Sequence, residues 1–219
     1  MYLPDGKKLS EILPEDLYRE LETELERILP SFGPKLIERM KIIHANVMLS
    51  LLEDILKNPG GAPLDLLIET RAGALGKKTG GLETVAEQLA ALNAFTTDEQ
   101  ITMLRDSLRL LKQRRKAGTD PITDLVEAYR SGDLAIVDKV LNDALRSGDK
   151  AVSEKTVRIL FTERNLRMAE RAVAKIKAEP DKSFFFAVGA GHLIGDTSVL
   201  KLLESAGFKV VRAGISVAK

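Results

Sequence analysis

The chain has 219 residues, 44% of them hydrophobic and 30% charged, with a formal net charge of +1. That profile is ordinary for a globular protein with a real core, and its charge balance gives no reason to expect nucleic acid or an acidic membrane surface as partner. The absence of cysteine excludes disulfides, thiolate metal sites and a cysteine nucleophile, and no stretch approaches the ~20 apolar residues of a membrane helix, so the chain as it stands reads as soluble.

Leu3-Pro-Asp-Gly-Lys-Lys8 reads as a turn. Leu9 to Leu29 is helical in pattern, with Leu17, Leu21, Leu25 and Leu29 at helical spacing, and Pro30 to Pro34 breaks it. A second helix is expected from Leu36 to Lys57, its stripe formed by Ile37, Met40, Ile43, Val47, Leu51 and Ile55. His44 falls one position beyond that stripe, as an ordinary helix histidine. Asn58 to Pro63 is a loop, Leu64 to Leu75 another helix, and Lys77 to Leu82 a short strand. From Glu83 onward about a hundred residues are helical: Glu83 to Asn93, a segment opened by Thr97 as cap with Gln100 at the capping-box position, one starting at Asp120-Pro121, Leu134 to Leu145, and Val152 to Lys177.

Ser183-Phe-Phe-Phe-Ala-Val-Gly-Ala-Gly-His-Leu-Ile-Gly195 follows. Its unbroken apolar run reads as a strand buried on both faces, and its glycines let the backbone turn sharply around His192. A short helix with Asp196 or Thr197 as cap candidates leads to a further strand, Phe208 to Arg212. The expected fold is therefore α/β, of the α+β kind: a small mixed sheet built from segments near 79–82, 183–189 and 208–212, with a large helical insertion over about 84–178.

Four residues are candidates for chemistry. His192 sits after a strand, where α/β proteins bind ligands, though a lone histidine in a glycine-rich loop is equally a packed side chain. Glu83, at the start of a helix, either complements the helix dipole or serves as a metal ligand or general base. Arg164 lies on or beside the apolar stripe of the long helix, so it snorkels to solvent or pairs with a buried acid, or else orients a catalytic carboxylate or binds a substrate carboxylate. Asn165 aligns with Phe161 and Met168. The basic run Lys112 to Lys116 reads as favourable charge at a helix C-terminus. A dinucleotide site at Gly189 to Gly195 fails because the glycine spacing is one residue too long.

These stretches together resemble the GumN/TraB/PrgY/Tiki family of metallopeptidases, most closely its bacterial GumN branch. The matching residues are Leu3 to Ser10, Leu64-Asp-Leu-Leu-Ile68 through Gly76-Lys77, Gly81-Leu-Glu-Thr-Val-Ala-Glu-Gln88, Thr162-Glu-Arg-Asn165, Phe186 to Gly195, and Leu202 to Val210. The resemblance implies a single domain over 1–219 and a divalent metal of the Mn or Co type. It makes His192 and Glu83 metal ligands or proton-transfer groups, with Arg164 as orienter and Asn165 in the conserved-order Glu-Arg-Asn position. The family carries a first G-x-x-H motif on a strand upstream of the Leu-Pro-Asp-Gly turn, and this sequence starts directly before that turn. The expectation is therefore a metal-dependent peptidase acting on peptide or protein substrates, weak or inactive in this form, or alternatively a non-catalytic binding or scaffold protein. The missing strand further suggests a homodimer through an open sheet edge.

Overall fold

The computed structural model describes residues 1–119, 121–146 and 148–214. Eleven α-helices are present among them: α1 (Glu15–Ile28), α2 (Gly33–Ile37), α3 (Ile42–Lys57), α4 (Leu64–Ala74), α5 (Val85–Asn93), α6 (Thr97–Lys116), α7 (Pro121–Ser131), α8 (Leu134–Leu145), α9 (Lys150–Val157), α10 (Glu163–Ala178) and α11 (Val199–Ser205).

The principal core forms where α1, α3 and α6 bring their apolar faces together. Leu17, Leu21 and Leu25 recur every fourth residue along α1 and are fully buried, and they meet Leu49 of α3 and Leu104 and Leu108 of α6. Each such leucine contributes about 1.5–3 kcal/mol over remaining in water. Glu24 shares this interior and is received by the guanidinium groups of Arg115 and Arg27, which hold its carboxyl below the usual range against the opposing effect of burial. A smaller cluster of Met168, Ala169 and Val199 joins α10 to α11, with Leu82 and Val188 packed against it.

The expected mixed sheet does not form: among the described residues there is no strand or sheet, only an isolated antiparallel bridge between Tyr2 and Met40. The reason is visible in the 183–189 segment. Phe184, Phe186 and Val188 are half-buried while Ser183, Phe185, Ala187 and Gly189 are exposed, and Phe185 keeps 80% of its surface. The segment is thus covered on one face rather than two, with Phe184 and Phe186 stacked at 5.8 Å. Alternation dictates which side chains are covered, but a ladder also needs a neighbouring strand about 4.8 Å away. Phe208 to Val211 alternate in the same way, with Val211 exposed, and Arg212 after it is exposed as well.

Three local expectations shift for identifiable reasons. The helix expected over 36–57 is split, because Leu3 N–H, Leu9 N–H and Met1 C=O bond the backbone of Arg39, Glu38 and Lys41 at 2.8, 2.8 and 3.0 Å. Within α3 the buried side chains are Ile42 to Asn46, Leu49 and Leu52, so of the expected stripe Ile43 is buried while Val47, Leu51 and Ile55 are exposed, and His44 points inward. At α6 the cap is Thr96 rather than Thr97, with Glu99 bonding back to the Thr96 amide at 2.7 Å. The α11 cap is Ser198, whose hydroxyl accepts from Lys201 N–H, rather than Asp196 or Thr197.

Candidate functional site

The site is assembled on one helical rod. Between α9 and α10 the chain runs through a π-helical turn, Arg158–Thr162, closed by Glu163 N–H on Arg158 C=O. Such a turn holds one residue more than an α-turn and is often found at functional sites. It sets the face on which Asn165, Met168, Ala169 and Ala172 are buried.

Asn165 is 1% exposed. Its Nδ2 donates to Thr197 C=O at 2.8 Å, and its Oδ1 lies 2.6 Å from His192 Nδ1. The first bond fixes the amide, because a flipped group would set its oxygen against a carbonyl oxygen. Asn165 Oδ1 is therefore an acceptor, Nδ1 of His192 carries the proton, and Nε2 is the ring's lone-pair nitrogen. His192 closes a 3-10 turn, Ala190–His192, with its N–H on Gly189 C=O at 2.8 Å. Its ring packs against Phe161 at 5.4 Å between centroids. Gly191 is required here, since a Cβ would lie 2.9 Å from Phe161 Cε1 and 3.0 Å from Leu141 Cδ2. Burial first, and the Arg164 charge second, push the His192 pKa below its ordinary value, with Glu83 opposing. The imidazole is neutral at physiological pH.

Glu83, with a side chain 3% exposed, is held by Arg164 through Nε at 3.1 and 3.0 Å and Nη2 at 2.7 Å. Arg164 Nη1 also donates to Leu160 C=O of the π turn at 3.3 Å. Arg167 reaches the same carboxylate at 3.4 Å. One turn on, Arg171 donates to Glu87 and to Leu82 C=O at 2.8 Å each. Arg171 first, and the Thr84 cap next, hold the Glu87 carboxyl well below the usual range.

All four residues singled out in the sequence thus gather in two couples, His192 with Asn165 and Glu83 with Arg164. Arg167, Arg171 and Glu87 were not singled out. Their signal was the spacing of Arg164, Arg167 and Arg171 by three and four, facing two glutamates four apart. His44 lies elsewhere, 7% exposed, with no partner for either ring nitrogen.

A divalent metal, implied by the resemblance, is not matched by this donor set. Among the described residues no group of three His, Asp or Glu side chains converges. Both Glu83 oxygens are engaged by guanidinium, and Nδ1 of His192 is engaged by Asn165. Nε2 of His192 is left as the one donor atom of the two proposed ligands, too few for a tight site.

The TraB/PrgY/gumN family model matches residues 1–212. The chain is 31% identical to Metalloprotease TIKI2 of Danio rerio over 95% of its own length and 48% of the relative's. Similarity extends to Metalloprotease TIKI1 of Danio rerio at 33%, covering 95% and 50% of the two chains, and to Metalloprotease TIKI1 of Homo sapiens at 30%, covering 96% and 49%. The chain spans about half the length of these curated relatives. No solved structure matches it.

Proposed function

The chain belongs to the TraB/PrgY/gumN family, and from that premise we propose that it is a Tiki-like peptide-bond hydrolase with His192 as its reactive side chain. The observation that carries this reading is the 2.6 Å contact between His192 Nδ1 and Asn165 Oδ1. A neutral imidazole held by its Nδ1–H presents Nε2 as base or ligand, the arrangement that orients catalytic and metal-binding histidines alike. In this role Nε2 accepts the proton of a water attacking a peptide carbonyl and returns it to the leaving amine. Asn165 keeps the ring in one tautomer throughout. The Arg164–Glu83 couple acts the other way on balance: the Arg164 charge lowers the His192 pKa more than Glu83 raises it, which keeps the imidazole neutral and ready to accept a proton.

The printed name of the relatives, metalloprotease, supports a metal-dependent peptidase acting on a peptide or protein. The Mn- or Co-type ion with His192 and Glu83 as its ligands is what the resemblance implies, and the donor set among the described residues does not fit it. Of the two ligands, the Arg164 clamp favours His192 and weighs against Glu83. Activity of this chain by itself is accordingly weak. A second reading, a non-catalytic binding or scaffold protein, is favoured by the same clamp, because a carboxylate tied to guanidinium is a structural pair in many folds.

A quenched-fluorescence peptide library, with and without Mn²⁺ or Co²⁺, separates the two. Slow cleavage that disappears in His192→Ala supports the hydrolase. No cleavage with any metal supports the binding protein instead, and cleavage unchanged in His192→Ala removes His192 as the reactive side chain.

A further inference from the structure

Beside the Glu83–Arg164 couple, α5 and the α9–α10 rod leave a cleft of about 510 Å³. Its apolar lining includes Ala90, Ala91 and Ile159, its cations are Lys155, Arg158 and Arg167, and its two carboxylates, Glu87 and Glu163, are taken up by Arg171 and Arg158. Two of these cations are committed. Lys155 sits on Glu99 at 2.6 Å and over the Phe95 ring, and Arg158 sits on Glu163 at 2.6 Å.

Arg167 is not matched in the same way. The one carboxylate it reaches, Glu83, is already held through both oxygens by Arg164 at 2.7–3.1 Å, while Arg167 makes a single 3.4 Å contact. Arg171, the next cation along α10, is taken up by Glu87. Arg167 Nε is buried with no hydrogen-bond partner, and about a third of the side chain (33%) remains exposed. Two guanidinium groups thus share one carboxylate, and the surplus one lines the cleft. A planar guanidinium with spare donors above an apolar lining matches a carboxylate on a short apolar stem.

We propose that this cleft is a recognition pocket for a carboxylate of the bound peptide, received by Arg167. The proposal rests on the peptide-hydrolase reading for the identity of its ligand. The carboxylate comes either from an acidic side chain or from the C-terminus of the peptide. In both cases its hydrocarbon stem lies against Ala90, Ala91 and Ile159, and the charge balances the surplus guanidinium. The pocket adjoins the site residues, so it acts on which peptide is held there rather than on the proton transfer.

Three pools of short peptides test this by fluorescence anisotropy with a neutral dye. The first is acetylated and amidated with Glu at a fixed central position, the second has Gln there, and the third is the Gln pool with a free C-terminal carboxylate. The expected result is binding of the first or third pool about tenfold or more tighter than the second, according to the carboxylate's source. Arg167→Gln should abolish the difference, with circular dichroism confirming the fold. Ala90→Trp fills the cleft without touching Glu83 and should weaken the favoured pool even if Arg167→Gln fails to fold. Equal binding of all three pools overturns the pocket, and cleavage without carboxylate preference does so while leaving the hydrolase intact. Carboxylate-dependent binding without cleavage keeps the pocket and removes the hydrolase reading.

Discussion

His192 Nδ1 lies 2.6 Å from Asn165 Oδ1, and the same Asn165 amide donates to Thr197 C=O at 2.8 Å. One buried side chain therefore ties the histidine turn to the rod and to the segment before α11. Asn165→Leu should cost about 1–3 kcal/mol, because it strands two polar partners at once. Asn165→Asp keeps an acceptor and adds a negative charge, so the His192 pKa should rise. Urea denaturation and an NMR titration of the imidazole check the two outcomes.

Stability should fall in mild acid. Burial lowers the pKa of both His44 and His192, with the N-terminal amine and Lys41 adding to the effect at His44 and Arg164 at His192. The unfolded chain, with ordinary histidines near 6.5, then binds protons first. Stability is full above about pH 6.5 and declines as pH drops from there through the lower native values. His44→Leu should remove part of this dependence and His192→Ala another part, as read from urea midpoints at several pH values.

Glu83→Gln leaves Arg164 and Arg167 facing a neutral amide. The expected loss is up to about 3 kcal/mol, the lower end for a buried pair, because both guanidinium groups keep some contact with water. Glu83→Gln combined with Arg164→Met should recover part of that loss, since one of the two uncompensated guanidinium charges is then gone and Arg167 remains. Chemical denaturation of the single and double variants gives the coupling.

Gly191→Ala should destabilise by about 1–3 kcal/mol through contact with Phe161 and Leu141. The clash sits beside His192, so the ring should also move relative to Phe161. Thermal melting reports the first effect, and the chemical shift of the Phe161 ring protons the second.

The helices were legible where one face is continuously apolar. Leu134 to Leu145 appears as expected, whereas Leu64–Ala74 is helical with no buried side chain and so has no such face. The sheet was not legible because the unbroken apolar run from Phe184 to Val188 has the composition of a strand buried on both faces, whereas it is covered on one face only and no strand lies beside it among the described residues. The split before α3 was hidden because the capturing groups, Met1, Leu3 and Leu9, are remote in sequence and act through backbone atoms. In the site, a buried acid was one of several readings open for Arg164, and the structure sets its guanidinium on Glu83. The Asn165–His192 contact depends on a π turn, which leaves no composition signal in Arg158 to Thr162. Arg167 was overlooked because charged spacing on a helix is usually solvent-facing, and here it faces Glu83.

The proposed chemistry of His192 requires a neutral ring, protonated at Nδ1 and held there by Asn165. A long-range ¹⁵N–¹H NMR spectrum at about pH 7.5 reads this directly, since the two histidines are the chain's only imidazoles and His192→Ala assigns them. The predicted result is an Nδ1–H tautomer for His192 that is lost in Asn165→Leu. A charged imidazolium, or a proton on Nε2, would contradict the account.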